Sequence, residues 1–392
     1  MKITNISTTL VNAGLRNWIF IRVDTDQDGL FGLGEATLEW KTRAVVGAVE
    51  DLKPLLIGRD PRDIERCHQI MTKHSFWPLG VIGMSAVSGI DIALWDIAAK
   101  ELGVPVWRLL GGRTRGIVRV YAHLGMGDSA SVYQSMDPRS VVERARAVVE
   151  AGYDALKIVC IPFTHYTASP QAIGEVGRIM GQLRAAVGDA VEIMVDFHGR
   201  PASASAALAY IDVLAPYRPM FIEEPIGPGN PAAMAELARR SAVPIAAGER
   251  LTSKEEFQAL FAHRAIAIAQ PDLCHVGGFT AMRKIAAMAE AAGVGLAPHN
   301  PLGPIAGAAA LHFAVATQNF VIQEEMSGVV PWFNEVVESP IRRIGSHWQV
   351  PEGPGLGVSL NAPVIARHPF VQEPTDIVTE FAILPDGTVV DW

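Results

Sequence analysis

Cysteine is scarce in this sequence. Cys67, Cys160 and Cys274 are the three in 392 residues, far apart, odd in number and without a C-x-x-C pairing. That excludes a disulfide framework and fits a reducing, cytoplasmic setting. Positive charge is in deficit too: 33 Lys and Arg face 41 Asp and Glu, a formal net charge of -8 at pH 7. With no dense Lys/Arg stripe to offset it, the chain repels polyanions and is not expected to bind nucleic acid. An anionic substrate must be attracted locally, by a metal or by a few placed cations. Long hydrophobic runs are missing as well. No stretch reaches the roughly 18 apolar residues of a membrane span, and the start MKITNISTTLVN lacks the basic-then-apolar order of a signal peptide. The expectation is a soluble protein that meets a small molecule in the cytosol, without a membrane partner.

What is present is core. Apolar residues make up 49% of the chain, and its length exceeds what one hydrophobic core usually supports, so two domains are expected. Alternation in Trp18-Ile19-Phe20-Ile21-Arg22-Val23, a turn at Asp28-Gly29 and then Leu30-Phe31-Gly32-Leu33 predict a β-ribbon. Apolar residues at three and four spacing predict helices over 41–56, 61–74 and 84–102, the last stopped by Gly103 and Pro105. Residues 1–115 therefore read as an α+β domain. From 116 to 325 eight short apolar runs alternate with amphipathic helices: Val118-Tyr121, Ala155-Val159, Glu192-Val195, Met220-Ile222, Pro244-Ala247, Ala265-Ala269, Gly295-Ala297 and Phe320-Ile322. Ser253 with Glu256 is a capping-box signature for one of those helices. The pattern predicts a (β/α) barrel of the TIM type, although pattern alone leaves a doubly wound sheet open. The Pro- and Gly-rich segment 326–392 is expected to pack back on the first domain.

Polar groups recur just past the apolar runs: Asp196 and His198 in VDFHGR, Glu223 in FIEEP, Glu249 in AAGER, Asp272 in IAQPD, His299 in LAPHN and Glu324 in VIQEE. From Asp196 to Glu324 successive strand ends are 23 to 27 residues apart, one βα unit each, so the side chains converge on one barrel mouth. Any one of them alone would ordinarily be a helix cap or a solvated group. Three carboxylates together would repel one another without a cation, and oxygen ligation without cysteine favours magnesium; Asp196, Glu223 and Glu249 are the candidate Mg²⁺ ligands. Asp272 beside His299 suits a general base, the plain alternative being a hydrogen bond that only ties two loops. His198, two residues past Asp196, is expected on the same strand face, as an acid. Glu324, if protonated or hydrogen-bonded, could support a developing oxyanion. Lys157, Arg200 and Arg250 flank the same strand ends and can accept an anion, rim ion pairs being the commoner fate of such residues.

The series DFHGR, IEEP, AAGER, QPD with HxGG and APHNPLGP, with ALWDIAAKELGVPVWRLLGG at 93–112, resembles the mandelate racemase subgroup of the enolase superfamily. Within that subgroup the chain is most similar to the galactonate dehydratase family of acid-sugar dehydratases. The resemblance implies Mg²⁺ on Asp196, Glu223 and Glu249, His299 with Asp272 as base, His198 as acid and Glu324 at the oxyanion. It also implies a lid made of residues 1–115 and the tail, and a homo-oligomer. Racemases of the subgroup carry Lys-x-Lys on the second strand, where this chain has Lys157-Ile158-Val159; the missing second lysine favours elimination over two-base racemisation. The loop Pro162-Phe163-Thr164-His165-Tyr166 departs from the family pattern and leaves the substrate open, with His165 and Tyr166 either touching distal hydroxyls or packing the loop.

The expected chemistry is syn or anti dehydration of an aldonate. His299 takes the C2 proton, the enediolate is held by Mg²⁺, Lys157 and Glu324, and His198 protonates the departing 3-hydroxyl to give a 2-keto-3-deoxy sugar acid. Epimerisation or cycloisomerisation through the same enediolate is the nearest alternative, and a non-catalytic ligand-binding barrel the alternative of another class. Arg16, Trp18, Glu39, Trp40, Phe76 and Trp77 are candidate specificity positions in the lid, or lid core.

Overall fold

The computed structural model describes residues 1–124, 137–374 and 382–390. Its first sheet is antiparallel, β1 (Ile3–Asn12), β2 (Asn17–Thr25) and β3 (Phe31–Glu35) in that order, with the expected turn containing Gly29 at φ 75°. Strand β2 is buried on both faces. Its Ile19, Ile21 and Val23 enter the core of the capping domain, whereas Trp18 and Phe20 join the larger core that continues into the barrel.

Helices Thr42–Leu56, Ile64–Lys73 and Gly80–Glu101 cover this sheet. The third lies against it with almost no gap, because a Cβ on Gly32 would stand 2.0 Å from the Ala93 carbonyl oxygen and one on Gly34 1.9 Å from that of Gly89. It is the one helix among the described residues long and apolar enough to cross a membrane, yet 78% of its apolar window is packed inside the protein. Its far side meets the barrel, where Trp95 Nε1 donates to Thr280 Oγ1 at 3.0 Å.

The barrel strands are β4 (Ile117–His123), β5 (Ala155–Ile158), β6 (Glu192–Asp196), β7 (Ile222–Glu223), β8 (Ile245–Ala247), β9 (Ile268–Ala269), β10 (Gly295–Leu296) and β11 (Gln323–Glu325). They pair in parallel in sequence order. β11 returns to β4, and Leu296 bridges Phe320, so the sheet closes and the doubly wound alternative falls. Tyr121 and Met194 on these strands, with Phe221 and Ile322 just before β7 and β11, belong to one cluster of buried side chains. The eighth strand lies three residues later than Phe320-Ile322 suggested: Gln323-Glu324-Glu325 lacks the apolar signature because its side chains serve polar networks.

Among the described residues seven α-helices lie between the eight strands. Those starting at Pro138, Pro170, Ala204, Pro231 and Lys254 carry their own side-chain N-caps, Asp137, Ser169, Ser203, Asn230 and Ser253, the last with the anticipated capping box. The two that follow, Gly278–Ala291 and Pro304–Ala316, start after Gly277 and Gly303 and have no side-chain cap from their N-cap residue.

The segment after 326 contacts both bodies. Asn17 exchanges two hydrogen bonds with Val371, Asn12 N donates to His368 O at 2.9 Å, and Leu356 N donates to Asp96 Oδ1 at 2.8 Å, all on the capping domain. Residues 343–349 do not follow the expectation for the tail. They form a hairpin, β12 (Arg343–Ile344) and β13 (His347–Gln349), and β13 pairs with Ile117–Arg119 of β4. The parallel neighbours of β4 engage it only from Val120 onward, so its first residues need another partner for their backbone groups. Residues 375–381 and 391–392 of the expected tail lie outside the described residues.

Candidate active site

The register of the sheet delivers the first two acidic groups. Asp196 and Glu223 end β6 and β7 as direct partners, so both side chains point into the mouth. Glu249 follows β8 after Gly248, whose φ of 142° and closeness to Phe257 exclude a side chain there. One ligand atom from each of the three carboxylates lies within 4.8 Å of the others. Glu223 Oε1 and Glu249 Oε2 are buried with no hydrogen-bond partner. Burial and mutual repulsion push Glu223 and Glu249 well above the usual carboxylate range, Asp196 acting on both. Desolvated, mutually repelling oxygens with unused lone pairs fit a hard divalent cation.

Lys157 supplies the positive charge the chain itself brings. Its Nζ is 2.9 Å from Glu223 Oε2, 2.9 Å from Glu324 Oε1 and 3.4 Å from Asp196 Oδ2. Although burial opposes it, the charges of Glu223 and Glu324 hold the ammonium far above its ordinary pKa. Asp196 is also buried, and His198 and Lys157 hold it well below the carboxylate range. Glu324 sits at about 2 for the same reason, with burial opposed by Lys157 and His299, and its Oε2 accepts from Asn300 N at 2.8 Å. In this state Glu324 is an anion that accepts hydrogen bonds, so the oxyanion role set out for it requires its protonation.

His299 Nδ1 lies 2.8 Å from Asp272 Oδ2. Burial lowers the imidazole's affinity for a proton, but the hydrogen bond to Asp272 and the charge of Glu324 raise its pKa to about 9. Asp272 is itself fixed, its Oδ1 accepting from Cys274 N at 2.7 Å. His198 reaches the site by a different route from strand alternation. The strand ends at Asp196, and His198 turns inward from a left-handed φ of 52°, bringing Nε2 to 3.1 Å from Asp196 Oδ2. The two histidines thus stand at the two ends of the carboxylate cluster, since His299 Nε2 is 3.5 Å from Glu249 Oε2.

The remaining candidates are more dispersed. Arg200 is buried, donating to Ile161 O with its guanidinium 4.4 Å over Phe163. Arg250 Nη2 pairs with Glu224 Oε2 at 2.6 Å. Glu39 pairs with Arg16, whose Nη1 also donates to Pro301 O at 2.5 Å, two residues after His299. Trp18 is fully buried, edge-on to Phe333 at 5.5 Å, and belongs to the packed core rather than to an open wall. His165 and Tyr166 are exposed and meet edge-on at 4.5 Å. Phe76 and Trp77 are 92% and 74% exposed.

In the first barrel strand His123 escaped the sequence reading because the run was ended at Tyr121, and Tyr121 was read only as part of that run. His123 closes β4 opposite Lys157, and burial together with the Lys157 charge lowers it to about 4, keeping the imidazole neutral. The Tyr121 ring lies 5.5 Å from Lys157 Nζ. The signal available was the strand's own length, carried on through Ala122 to His123.

Residues 3–111 match the mandelate racemase / muconate lactonizing enzyme N-terminal domain, and residues 140–364 match the enolase C-terminal domain-like family. D-Galactonate dehydratases from Ralstonia nicotianae and Verminephrobacter eiseniae are 39% and 40% identical over the full length of both chains. Among solved structures, an enolase from Pantoea ananatis with bound D-gluconate and Mg superposes with a TM-score of 0.88 at 30% identity, covering all of both chains. A putative galactarate dehydratase from Agrobacterium radiobacter, bound to Na and L-malate, gives 0.90 at 30% identity over the same coverage. With both domain models matched in order and full-length relatives at this identity, the chain belongs to the enolase superfamily, in its mandelate racemase / muconate lactonizing enzyme branch.

Proposed function

We propose that the protein is a magnesium-dependent sugar-acid dehydratase that converts an aldonate of the galactonate type to its 2-keto-3-deoxy acid. The observation that carries the reading is the placement of two histidines at the two ends of one carboxylate cluster, His299 by Glu249 and His198 by Asp196, in a chain with full-length D-galactonate dehydratase relatives. Asp196, Glu223 and Glu249 would hold Mg²⁺, which supplies charge stabilisation for the substrate carboxylate as its α-carbon loses a proton.

The protein's own groups do the rest. In its neutral form His299 takes the C2 proton on Nε2, and Asp272, bonded to Nδ1, fixes the tautomer and stabilises the imidazolium. Lys157 faces the negative charge that develops. His198 donates a proton to the 3-hydroxyl, the C3–O bond breaks with its electron pair leaving as water, and the resulting enol tautomerises to the keto acid. His123, neutral at the same mouth, can hydrogen-bond a substrate hydroxyl without adding charge. Arg200 and Arg250 tune the local potential, while Glu39, His165 and Tyr166 are rim positions that bear on specificity.

Isomerisation through two opposed bases is disfavoured by Val159, a buried apolar side chain at the position of the second lysine of the racemases. A panel of aldonates and aldarates assayed for 2-keto acid tests the proposal. Keto-acid formation that stops with chelator and returns with Mg²⁺ supports it; epimerised product without keto acid would reject it. We also infer a homo-oligomer, supported by the exposed Phe76 and Trp77. Light scattering that returns a monomer at micromolar concentration removes that inference.

A further inference from the structure

Among the described residues, the two barrel α-helices without a cap of their own are the two that follow the base dyad. Asp272 lies six residues before the helix Gly278–Ala291, and His299 lies five before Pro304–Ala316. Helix N-termini leave backbone N–H groups that must find acceptors when buried. Here the acceptors come from the other domain. Glu35, at the end of β3, accepts from Gly303 N at 2.7 Å and Ala306 N at 2.8 Å. Asp91, in the capping helix Gly80–Glu101, accepts from Thr280 N at 3.0 Å, and Ser88 one turn earlier accepts from Gly277 N at 2.8 Å. Arg16 adds its donation to Pro301 O at 2.5 Å, and Ser85 Oγ meets His275 Nδ1 at 2.9 Å. Every one of these contacts lands on the segments that carry Asp272 and His299.

We propose that Glu35 and Asp91 are positioning residues for the general base: by capping the two barrel helices across the domain boundary, they hold Asp272 and His299 at hydrogen-bonding distance, so that the base dyad is assembled only when the capping domain is seated. The fit leaves no slack. A Cβ on Gly303 would stand 2.6 Å from Glu35 Oε1 and 2.9 Å from Trp18 Cδ1, and one on Gly278 would stand 2.3 Å from Asp91 Oδ2. Glycine at these two places is what lets the capping carboxylates approach the helix ends. The lid therefore does more than cover the substrate, because it sets the register of the loop that removes the proton. This rests on the dehydratase reading for its kinetic consequence and on geometry alone for its structural one.

Glu35→Gln and Asp91→Asn keep shape and replace one carboxyl oxygen with an N–H donor at the helix end, and Gly303→Ala disturbs the same junction from the barrel side with Glu35 intact. Each variant is expected to lose kcat on the order of 10²-fold, the cost of a small misplacement of a reacting group, with KM and Mg²⁺ affinity within about threefold of wild type. Two measurements need no substrate. The downfield imidazole N–H resonance of His299 bonded to Asp272 should shift or broaden, and amide hydrogen exchange should rise in residues 272–282 for Asp91→Asn and 299–308 for Glu35→Gln and Gly303→Ala. Unchanged kcat in folded variants overturns the proposal. So does exchange that rises evenly through both domains while Mg²⁺ affinity falls in step, which is the signature of a merely structural contact. If the wild type itself turns over no sugar acid, the dehydratase reading fails, and the resonance and exchange measurements still decide whether the dyad depends on the two caps.

Discussion

Lys157 has three carboxylates within 3.4 Å of its Nζ and almost no contact with water. Removing one partner of a buried ionic cluster leaves uncompensated charge, so Lys157→Met is expected to destabilise the metal-free protein by about 3–5 kcal/mol. Mg²⁺ should recover much of that loss by supplying positive charge to the same carboxylates. Thermal unfolding with and without Mg²⁺ checks this, and an equal deficit in both conditions would contradict it. The two histidines are separable by their roles. His299→Asn should abolish both C2-proton exchange and dehydration, whereas His198→Asn should cost dehydration roughly 10²- to 10⁴-fold and leave exchange largely intact. Substrate incubated in D₂O with the His198→Asn enzyme should then gain deuterium at C2 faster than keto acid appears. If His299→Asn kept wild-type exchange and His198→Asn lost it, the roles would be reversed.

Among the elements, those with a periodic face were legible and those without one were not. Strand ends from Asp196 to His299 could be read because a short apolar run followed by a polar residue recurs once per βα unit, and a carboxylate at that place has few other reasons to repeat. The eighth strand was displaced because Gln323-Glu324-Glu325 is polar on both faces, Glu324 meeting Lys157 in the mouth and Glu325 accepting from Tyr153 on the other side. The hairpin at 343–349 carries no such repeat; the need of Ile117–Arg119 for a backbone partner shows only in three dimensions. Glu35 and Asp91 were invisible for a related reason, since each caps a helix more than 180 residues away in sequence. The local caps, by contrast, follow from sequence. Ser253→Ala should remove the capping box of Lys254–Ala262 and cost about 1 kcal/mol in urea unfolding with kcat unchanged. A change below experimental error would mean that Thr252 and Glu256 satisfy the helix end without it.

For the molecule as a whole, pH and metal are linked through the same three carboxylates. Glu223 and Glu249 have pKa values raised well above their unfolded ones, so the folded protein binds protons that the unfolded chain has released. Their contribution to stability is therefore greatest at low pH and is lost as pH rises through the folded pKa values. Mg²⁺ must displace those protons, so its affinity and the rise in melting temperature it causes should both grow as pH rises from the ordinary carboxylate range through the raised folded pKa values. Calorimetric titration in buffers of different ionisation enthalpy reads the released protons directly. Affinity that is flat across that range would mean that the carboxylates are already ionised without metal.

The order in which the chain is made separates the lid from the segment that fastens it. The sheet of residues 3–35 emerges from the ribosome ahead of the barrel, yet Asn12 and Asn17 on it wait for His368 and Val371, and Asp96 for Leu356. The barrel strands between them can close as soon as Glu325 is available. A nascent chain therefore reaches a stage at which the eight parallel strands are paired while the lid still lacks its final strap and Ile117–Arg119 their β13 partner. A truncated chain ending near residue 330 and released from the ribosome is expected to resist protease through the paired barrel strands beyond Val120 and to be cut more readily within the first hundred residues, a pattern that the full chain should erase.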